Sequence, residues 1–504
     1  MRRFAALVLC ASLVVLPACG KKTDEAARAA GITPRTALAM FSVNLSPSIE
    51  QKRNLLSIAK RFPEASDQVK GEFESTRDEV LQEILEPAGL DYDKDVKPWL
   101  GKEAAAVILP PGDADGPLFL AMVQTEDKAK AEAAIAKATK AGDFEGAYAV
   151  VDNFVVISDQ DDPADNQPAL DQIVAQAKKD DGGLAKDASF TKVVNELAGD
   201  RLLLGWVDSA ASLDVAEQLG GLEDAGFLKS FGKDAIAFDV HVEPKAVVFQ
   251  GVAVASGGGP GSAVELTKTL PATTLAAFTM FKLGDTLTKA IKDAGGAGGE
   301  DIAGQFEEAT GLDLQDDILS WMQGETVISV GSPRGGQQFP DFALVVEPTD
   351  KAKAAAAITK IRDSLTEQGI ELEEQEIGGS TAYVVPEAFA PGIQPAMALF
   401  PDRFVLANSP AYLGDLAKAS TPSLGSSETY TNLLGKDDKA TTAQFILLID
   451  PIREAIEKAL IGQSGADGSY EDEVKPNLEP LAAFGVKAHR DGDFNKVEVK
   501  LTLD

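Results

Sequence analysis

The 504-residue chain contains only two cysteines and two histidines, and that scarcity removes several chemistries at once. Cys10 and Cys19 both fall within the first twenty residues, so the remaining body can form no disulfide, thiolate metal site or thiol redox couple. His241 and His489 are far apart and belong to no His-Glu-x-x-His pattern, so a zinc hydrolase is not expected. Aromatic residues are few, with 3 Trp and 6 Tyr, which argues against an aromatic-lined carbohydrate cleft. Positive charge is also short, 47 basic against 79 acidic side chains for a net charge of −32. Phosphate backbones would be repelled, so nucleic acid is not an expected partner. Apolar residues, by contrast, make up 44% of the chain, enough for packed cores. A single core rarely grows beyond roughly 250–300 residues, so the length predicts two domains.

The N-terminus reads as an address. Met1-Arg2-Arg3 precedes an apolar run from Phe4 to Val15, followed by Leu16-Pro17-Ala18-Cys19-Gly20. A basic head and a short apolar stretch before small residues describe a secretory signal peptide. The run is too short for the roughly 20 residues of a membrane-crossing helix. Leu-Pro-Ala-Cys resembles the lipobox of bacterial lipoproteins. That resemblance implies cleavage before Cys19, a thioether-linked diacylglycerol on its sulfur and acylation of the new amino terminus. Gly20 fits the usual outer-membrane sorting pattern. Three acyl chains exceed what stable anchoring needs, so the expected partner is a membrane, reached through Cys19. The body would be exported and lipid-anchored to the cell envelope. In a cell with two membranes it would sit on the outer membrane, facing the periplasm or the surface; otherwise it would sit on the outer face of the plasma membrane. Residues 1–18 are the predicted signal and 19–33 the acylated Cys and polar tether.

The body carries an internal duplication. Pro34-Arg-Thr-Ala-Leu38 returns as Pro271-Ala-Thr-Thr-Leu275, and Asp95-Val-Lys-Pro-Trp99-Leu-Gly101-Lys-Glu103 as Asp317-Ile-Leu-Ser-Trp321-Met-Gln-Gly324-Glu325. Asp127-Lys-Ala-Lys130 returns as Asp350-Lys-Ala-Lys353, Asp152-Asn-Phe154-Val155 as Asp402-Arg-Phe404-Val405, and Leu204-Gly-Trp-Val-Asp208 as Ile446-Leu-Leu-Ile-Asp450. The order never changes. Ser256-Gly-Gly-Gly-Pro-Gly-Ser262 is a flexible hinge. The predicted division is a first copy over 34–256, a Gly-rich linker over 257–268 and a second copy over 269–504. Short alternating or apolar runs joined by tight turns, as at Val151-Asp-Asn-Phe154, read as antiparallel strands. Ala-rich stretches behind Asp127 and Asp350 read as N-capped helices. The predicted fold class is α+β: two tandem copies of an antiparallel sheet with helices packed on one face.

With the lipobox, the paired Asp-x-x-x-Trp segments and the paired Asp-Lys-Ala-Lys starts, the chain resembles a large uncharacterised family of bacterial extracytoplasmic lipoproteins, a domain of unknown function. The resemblance implies no activity, cofactor or catalytic residue.

Catalytic constellations fail one by one. His241 falls in a strand whose Ile236, Phe238, Val240 and Val242 share one side, which places His241, Asp239 and Glu243 toward solvent; His489 has a comparable place in the last hairpin. Ser380 and Ser464 sit in near misses to a nucleophile elbow, and Ser380 precedes a strand, Ala382-Tyr-Val-Val385, that mirrors Ala147-Tyr-Ala-Val150. Gly435-Lys436 lacks a following Ser or Thr, and Gly295–Gly299 follows a helix, so neither is a phosphate cradle. Asp159–Asn166 has the acid density of a calcium loop but carries Pro163 where a ligand belongs, and Asp467–Glu473 is a similar acidic run. Trp99 and Trp321 read as duplicated core anchors rather than stacking platforms. No catalytic, cofactor or metal residues are assigned. The expected function is a non-catalytic envelope lipoprotein that binds or scaffolds, its partner a hydrophobic ligand or a basic protein or polymer. The alternative is a carboxylate-dependent, glycosidase-like hydrolase in the envelope.

Overall fold

The computed structural model describes residues 27–68, 78, 82, 91–112, 114, 116–141, 146–158, 160, 162–179, 181–218, 234–255, 261–294, 299–334, 339–386, 393–435, 440–461, 470 and 474–504. Cys10, Cys19, the signal segment, Ser464, Lys436 and the centre of the Gly-rich hinge lie outside them. The fold mixes helix and strand around a large antiparallel sheet. It divides into two units, one of Met1–Gly258 with Asp491–Glu498 and Leu503, the other of Gly259–Arg490 with Val499–Thr502 and Asp504.

In the first unit the strands include β1 (Ala39–Asn44), β2 (Leu100–Leu109), β3 (Leu118–Thr125), β4 (Ala147–Val151), β5 (Phe154–Ser158), β6 (Leu203–Val207), β7 (Ile236–Glu243) and β8 (Ala246–Val254). They pair antiparallel in the order β4-β5-β3-β2-β1-β6-β7-β8. The β4–β5 turn is made by Asp152 and Asn153, with Asp152 at φ 49°, a left-handed conformation that Asp and Asn tolerate better than most residues. Met40, Val107, Leu120, Val156, Leu204 and Trp206 form one core with helices Asn166–Lys179 and Ala188–Val194. Phe190 meets the Trp206 ring edge-on at 5.7 Å.

Helices cover both faces of the sheet here. Val155 points away from that core, into a second one with Trp99, Ala131, Ala134, Ile135 and Ala138, the last four on helix Lys128–Ala141. The expectation of helices on a single face therefore fails. Its physical reason is visible in Phe154-Val-Val-Ile157, an unbroken apolar run of the kind that strands buried on both sides carry.

The second unit contains β9 (Thr274–Phe281), β10 (Glu325–Gly331), β11 (Asp341–Val346), β12 (Glu373–Ile377), β13 (Ser380–Val384), β14 (Ala396–Leu399), β15 (Phe404–Ala407), β16 (Thr441–Leu448) and β17 (Leu481–Asp491). Their order is β12-β13-β14-β15-β11-β10-β9-β16-β17. Here β9 lies between β10 and β16 as β1 lies between β2 and β6. Helices Pro410–Leu416 and Glu428–Leu434 cover one face, through Leu413, Leu416, Tyr430 and Leu433. Helix Lys351–Glu367 covers part of the other, setting Ala354, Ala357 and Ile358 on Trp321, Val346, Met397 and Phe404.

Pairing corrects the sequence alignment at three places. Ser380–Val384 is not the counterpart of Ala147–Val151; that place is held by β14, and β12–β13 is an additional hairpin beyond it. Trp206 corresponds to Ile446, because Phe41 pairs with Gly205 and Phe278 with Phe445, so Asp208 and Asp450 are two positions out of step. Of the stretch 257–268, read as a Gly-rich linker, the described part 261–268 includes the buried Val264, Leu266 and Thr267. On β12 the side chains of Glu373, Glu374 and Glu376 are exposed, and among the described residues this strand pairs only with β13.

The alanine stripe of helix Lys351–Glu367 permits its close approach to the sheet. Ala354→Leu is expected to destabilise the second unit by about 1–3 kcal/mol through overpacking. The exposed Ala355→Leu should stay within roughly 0.5 kcal/mol of wild type, with both read as denaturation midpoints.

Candidate functional site

Two deeply buried glutamates lie in the first part of two corresponding strands. Glu103, at the start of β2, is fully buried. Its carboxylate accepts the backbone N–H groups of Arg28 at 3.0 Å and Ala29 at 3.2 Å, and the Ser42 hydroxyl at 2.9 Å. Those amides open the helical turn Ala29–Gly31, whose Ala29 and Ala30 are completely buried. Glu325, at the start of β10, accepts the N–H groups of Glu265 at 2.7 Å, Leu266 at 2.8 Å and Thr267 at 3.0 Å, plus the Thr267 hydroxyl at 2.9 Å. These amides begin the turn Leu266–Thr269. In each case a strand glutamate supplies the acceptor that a helix N-terminus lacks. Burial pushes the Glu103 carboxyl up to about 7, against the pull of Ser42 and the two amides. The sequence carried this signal as a repeated glutamate, but not the segments it holds.

Trp99 and Trp321 are buried pillars. Their indole N–H groups donate to the carbonyls of Asp95 at 2.6 Å and Asp317 at 2.8 Å. The same aspartates reach lysines on the neighbouring Ala-rich helices, Asp95 to Lys137 at 2.5 Å and Asp317 to Lys360 at 2.6 Å, and these lysines hold both carboxyls below the usual range. Asp127 and Asp350 cap those helices through the amides of Lys130 and Lys353. Both tryptophans are thus taken up by packing.

His241 departs from its expected place. Asp239 is fully buried, where it accepts the Ala198 amide at 3.1 Å and pairs with His241 Nδ1 at 2.7 Å. The inward face of β7 is the Ala237–Asp239 side, because Ala198, following helix Ala188–Val194, presents an amide that needs an acceptor. In the second unit the place of Asp239 is taken by Lys487, which donates to the Leu434 carbonyl at 3.0 Å. His489 is the register counterpart of His241 and pairs with Thr441.

The second unit has a further polar network. Asp341, buried, accepts Arg334 Nε at 2.7 Å and the Ser409 hydroxyl at 3.0 Å, while Arg334 also reaches Asp415 at 2.5 Å. Tyr412 meets Ser329 at 2.6 Å, and burial pushes its hydroxyl up to about 12. Asp341 and Asp415 share the Arg334 guanidinium. The acidic loop near residue 160 is occupied with its own backbone: Asp162 accepts the Ala164 amide and Asn166 that of Gln160. Asp159, Asp161 and most of 467–473 lie outside the described residues. Among those described, no group of three or more His, Cys, Asp or Glu is placed to hold a metal, and no helix is long and apolar enough to cross a membrane.

Each unit also has partly exposed apolar sheet surface. In the second, Leu406, Leu344, Ile328, Phe278, Phe445 and Val486 stand directly opposite one another across six strands. Ile328 is 49% exposed, Phe342 45% and Leu406 43%. The corresponding row of the first unit is Ile157, Ala121, Ala106, Phe41, Gly205 and Phe238. There the Phe238 ring lies over Gly205, where any Cβ would collide with it, and contacts Phe41 at 6.0 Å and Phe249 at 5.4 Å.

A family model described as Protein of unknown function (DUF3352) matches residues 4–503. No curated protein matches the chain. A solved structure, "Structure of crystal form III of TP0453", is similar over 49% of this chain and 96% of its own, at 10% identity and a TM-score of 0.21.

The Glu103 geometry predicts a pH dependence. A carboxyl whose folded value of about 7 exceeds its ordinary 4.5 favours the native state below the lower value and loses that contribution as pH rises through the upper one. The first unit should lose about 3 kcal/mol of stability over that interval, read from denaturation midpoints at successive pH values, and Glu103→Gln should flatten the slope. Glu103→Ala, which leaves two buried amides without their acceptor, should cost about 2–5 kcal/mol at any pH in the range.

Proposed function

The chain belongs to the family described as Protein of unknown function (DUF3352), and we propose that it is a non-catalytic, lipid-anchored protein of the cell envelope, built from two tandem copies of one α+β design, that works by binding or scaffolding. The observation that carries this reading is how its buried polar groups are used. Glu103, Glu325, Asp239 and Asp341 all hold backbone amides, a histidine, an arginine or a hydroxyl of the fold itself. What faces outward instead is apolar sheet, the chemistry of contact rather than of turnover.

The anchor would be Cys19, through the lipobox that ends there. From Cys19 to Arg28, where Glu103 takes hold, the backbone spans at most roughly 30 Å, so the body would remain close to the membrane. Placement at the outer membrane, facing the periplasm or surface, follows from Gly20 in a cell with two membranes; in a cell with one, the outer face of the plasma membrane is its place.

Metabolic labelling with an alkyne-bearing fatty acid tests this. Wild type should be labelled and sediment with membranes, while Cys19→Ser should be unlabelled and stay with the soluble fraction. Full-length precursor in the cytosol with an unmodified Cys19 would overturn it.

A further inference from the structure

The partly exposed apolar face of the second unit suits a particular kind of occupant. Helix Lys351–Glu367 already shows what this sheet surface accepts: a helix with a narrow apolar stripe, seated on Val346 and Phe404. Two helices side by side lie 8–10 Å apart, which is about three residues along a strand at roughly 3.4 Å each. Leu406 stands two residues along from Phe404 and Phe342 four along from Val346, about 7 and 14 Å away and so either side of that spacing; with Ile328, which lies beside Leu344, they are large exposed apolar side chains of this face. The exposed surface is about one helix wide and is lined by Leu, Ile and Phe, whereas the first unit has Ile157, Ala121 and Ala106 at the places of Leu406, Leu344 and Ile328.

Charge selects among helices. A body of net charge −32 repels a second copy of itself and an anionic bilayer, and attracts a cationic segment. The basic side chains of the neighbouring helix are already engaged: Lys360 with Asp317, Arg362 with Asp363, Lys351 with the Pro401 carbonyl and Lys353 with Ser320.

We infer that the β10–β11–β15 face, around Ile328, Phe342 and Leu406, docks an amphipathic helix of a basic partner protein, laid beside helix Lys351–Glu367 with its apolar side on the sheet. The inference rests on the binding reading above and specifies its partner. The partner's outward residues are lysine or arginine, and its sheet-facing residues recur at helical spacing.

The test uses the full chain in phosphatidylcholine nanodiscs and a fluorescent helical peptide of about 18 residues, with Leu at i, i+3, i+4 and i+7 and Lys elsewhere. The peptide should bind saturably, and Phe342→Asp and Leu406→Asp should each weaken it by roughly tenfold or more. Phe119→Asp on the first unit should leave the affinity unchanged, and a version with Glu in place of Lys should not bind. A photo-crosslinker on the Leu side of the peptide should label β11 or β15 of the wild-type chain, a readout that needs no variant to fold. Equal affinity in all variants, equal binding of the Glu peptide, or crosslinks elsewhere would overturn the inference. It would also fall if the two substitutions instead abolished binding to phosphatidylglycerol vesicles or a dimer of the chain. None of these results alters the acylation and fractionation readout at Cys19, so the two readings fail separately.

Discussion

Two buried carboxylates decide how this chain begins each of its units. A short helical turn ends in backbone N–H groups that nothing within the turn can satisfy, and burying them in an apolar core would be costly. Glu103 and Glu325 lie in strand positions where those amides can be met, and Ser42 or Thr267 completes each set. Because the acceptor is far along the chain from the donors, the bond fixes tertiary structure: Ala29 and Ala30 enter the core only if β2 is in register. The neighbouring Trp–Asp–Lys arrangement acts alongside it. Trp99 and Trp321 fill the core on the opposite side of each sheet, and Asp95 and Asp317 join that core to the adjoining helix.

Among the described residues, the buried carboxylates Glu103, Asp239, Glu325 and Asp341 each face donors from their own fold. The two units differ in detail. Where the first ties the end of helix Ala188–Val194 to its sheet with Asp239 and His241, the second does so with Lys487; the network of Asp341, Arg334, Ser409 and Tyr412 belongs to the second alone, since Leu109 and Leu118 occupy the matching strand ends of the first.

Much of this was legible in the amino-acid order. Strands betray themselves by alternation, Asp127 and Asp350 by their place ahead of alanine-rich helices, and Trp99 and Trp321 by recurring among apolar neighbours. What stayed hidden depends on which surfaces meet. Periodicity reveals that Lys128–Ala141 has an apolar stripe, yet not which side of the sheet receives it. The outward assignment of His241 followed from a plausible alternation, and an amide at Ala198 reversed it. Glu103 and Glu325 were visible as a repeated letter, whereas their donors come from segments that resemble tether and linker. The hairpin β12–β13 imitated β4 in sequence because both carry Ala-Tyr followed by apolar residues; only pairing separates them.

The glutamates along β12 have an effect beyond their own unit. A strand with one flank unpaired is an invitation for another chain to add to the sheet. Glu373, Glu374 and Glu376 would bring like charge against like charge if two such flanks met. Such repulsion opposes growth of the sheet by edge-to-edge addition of another copy.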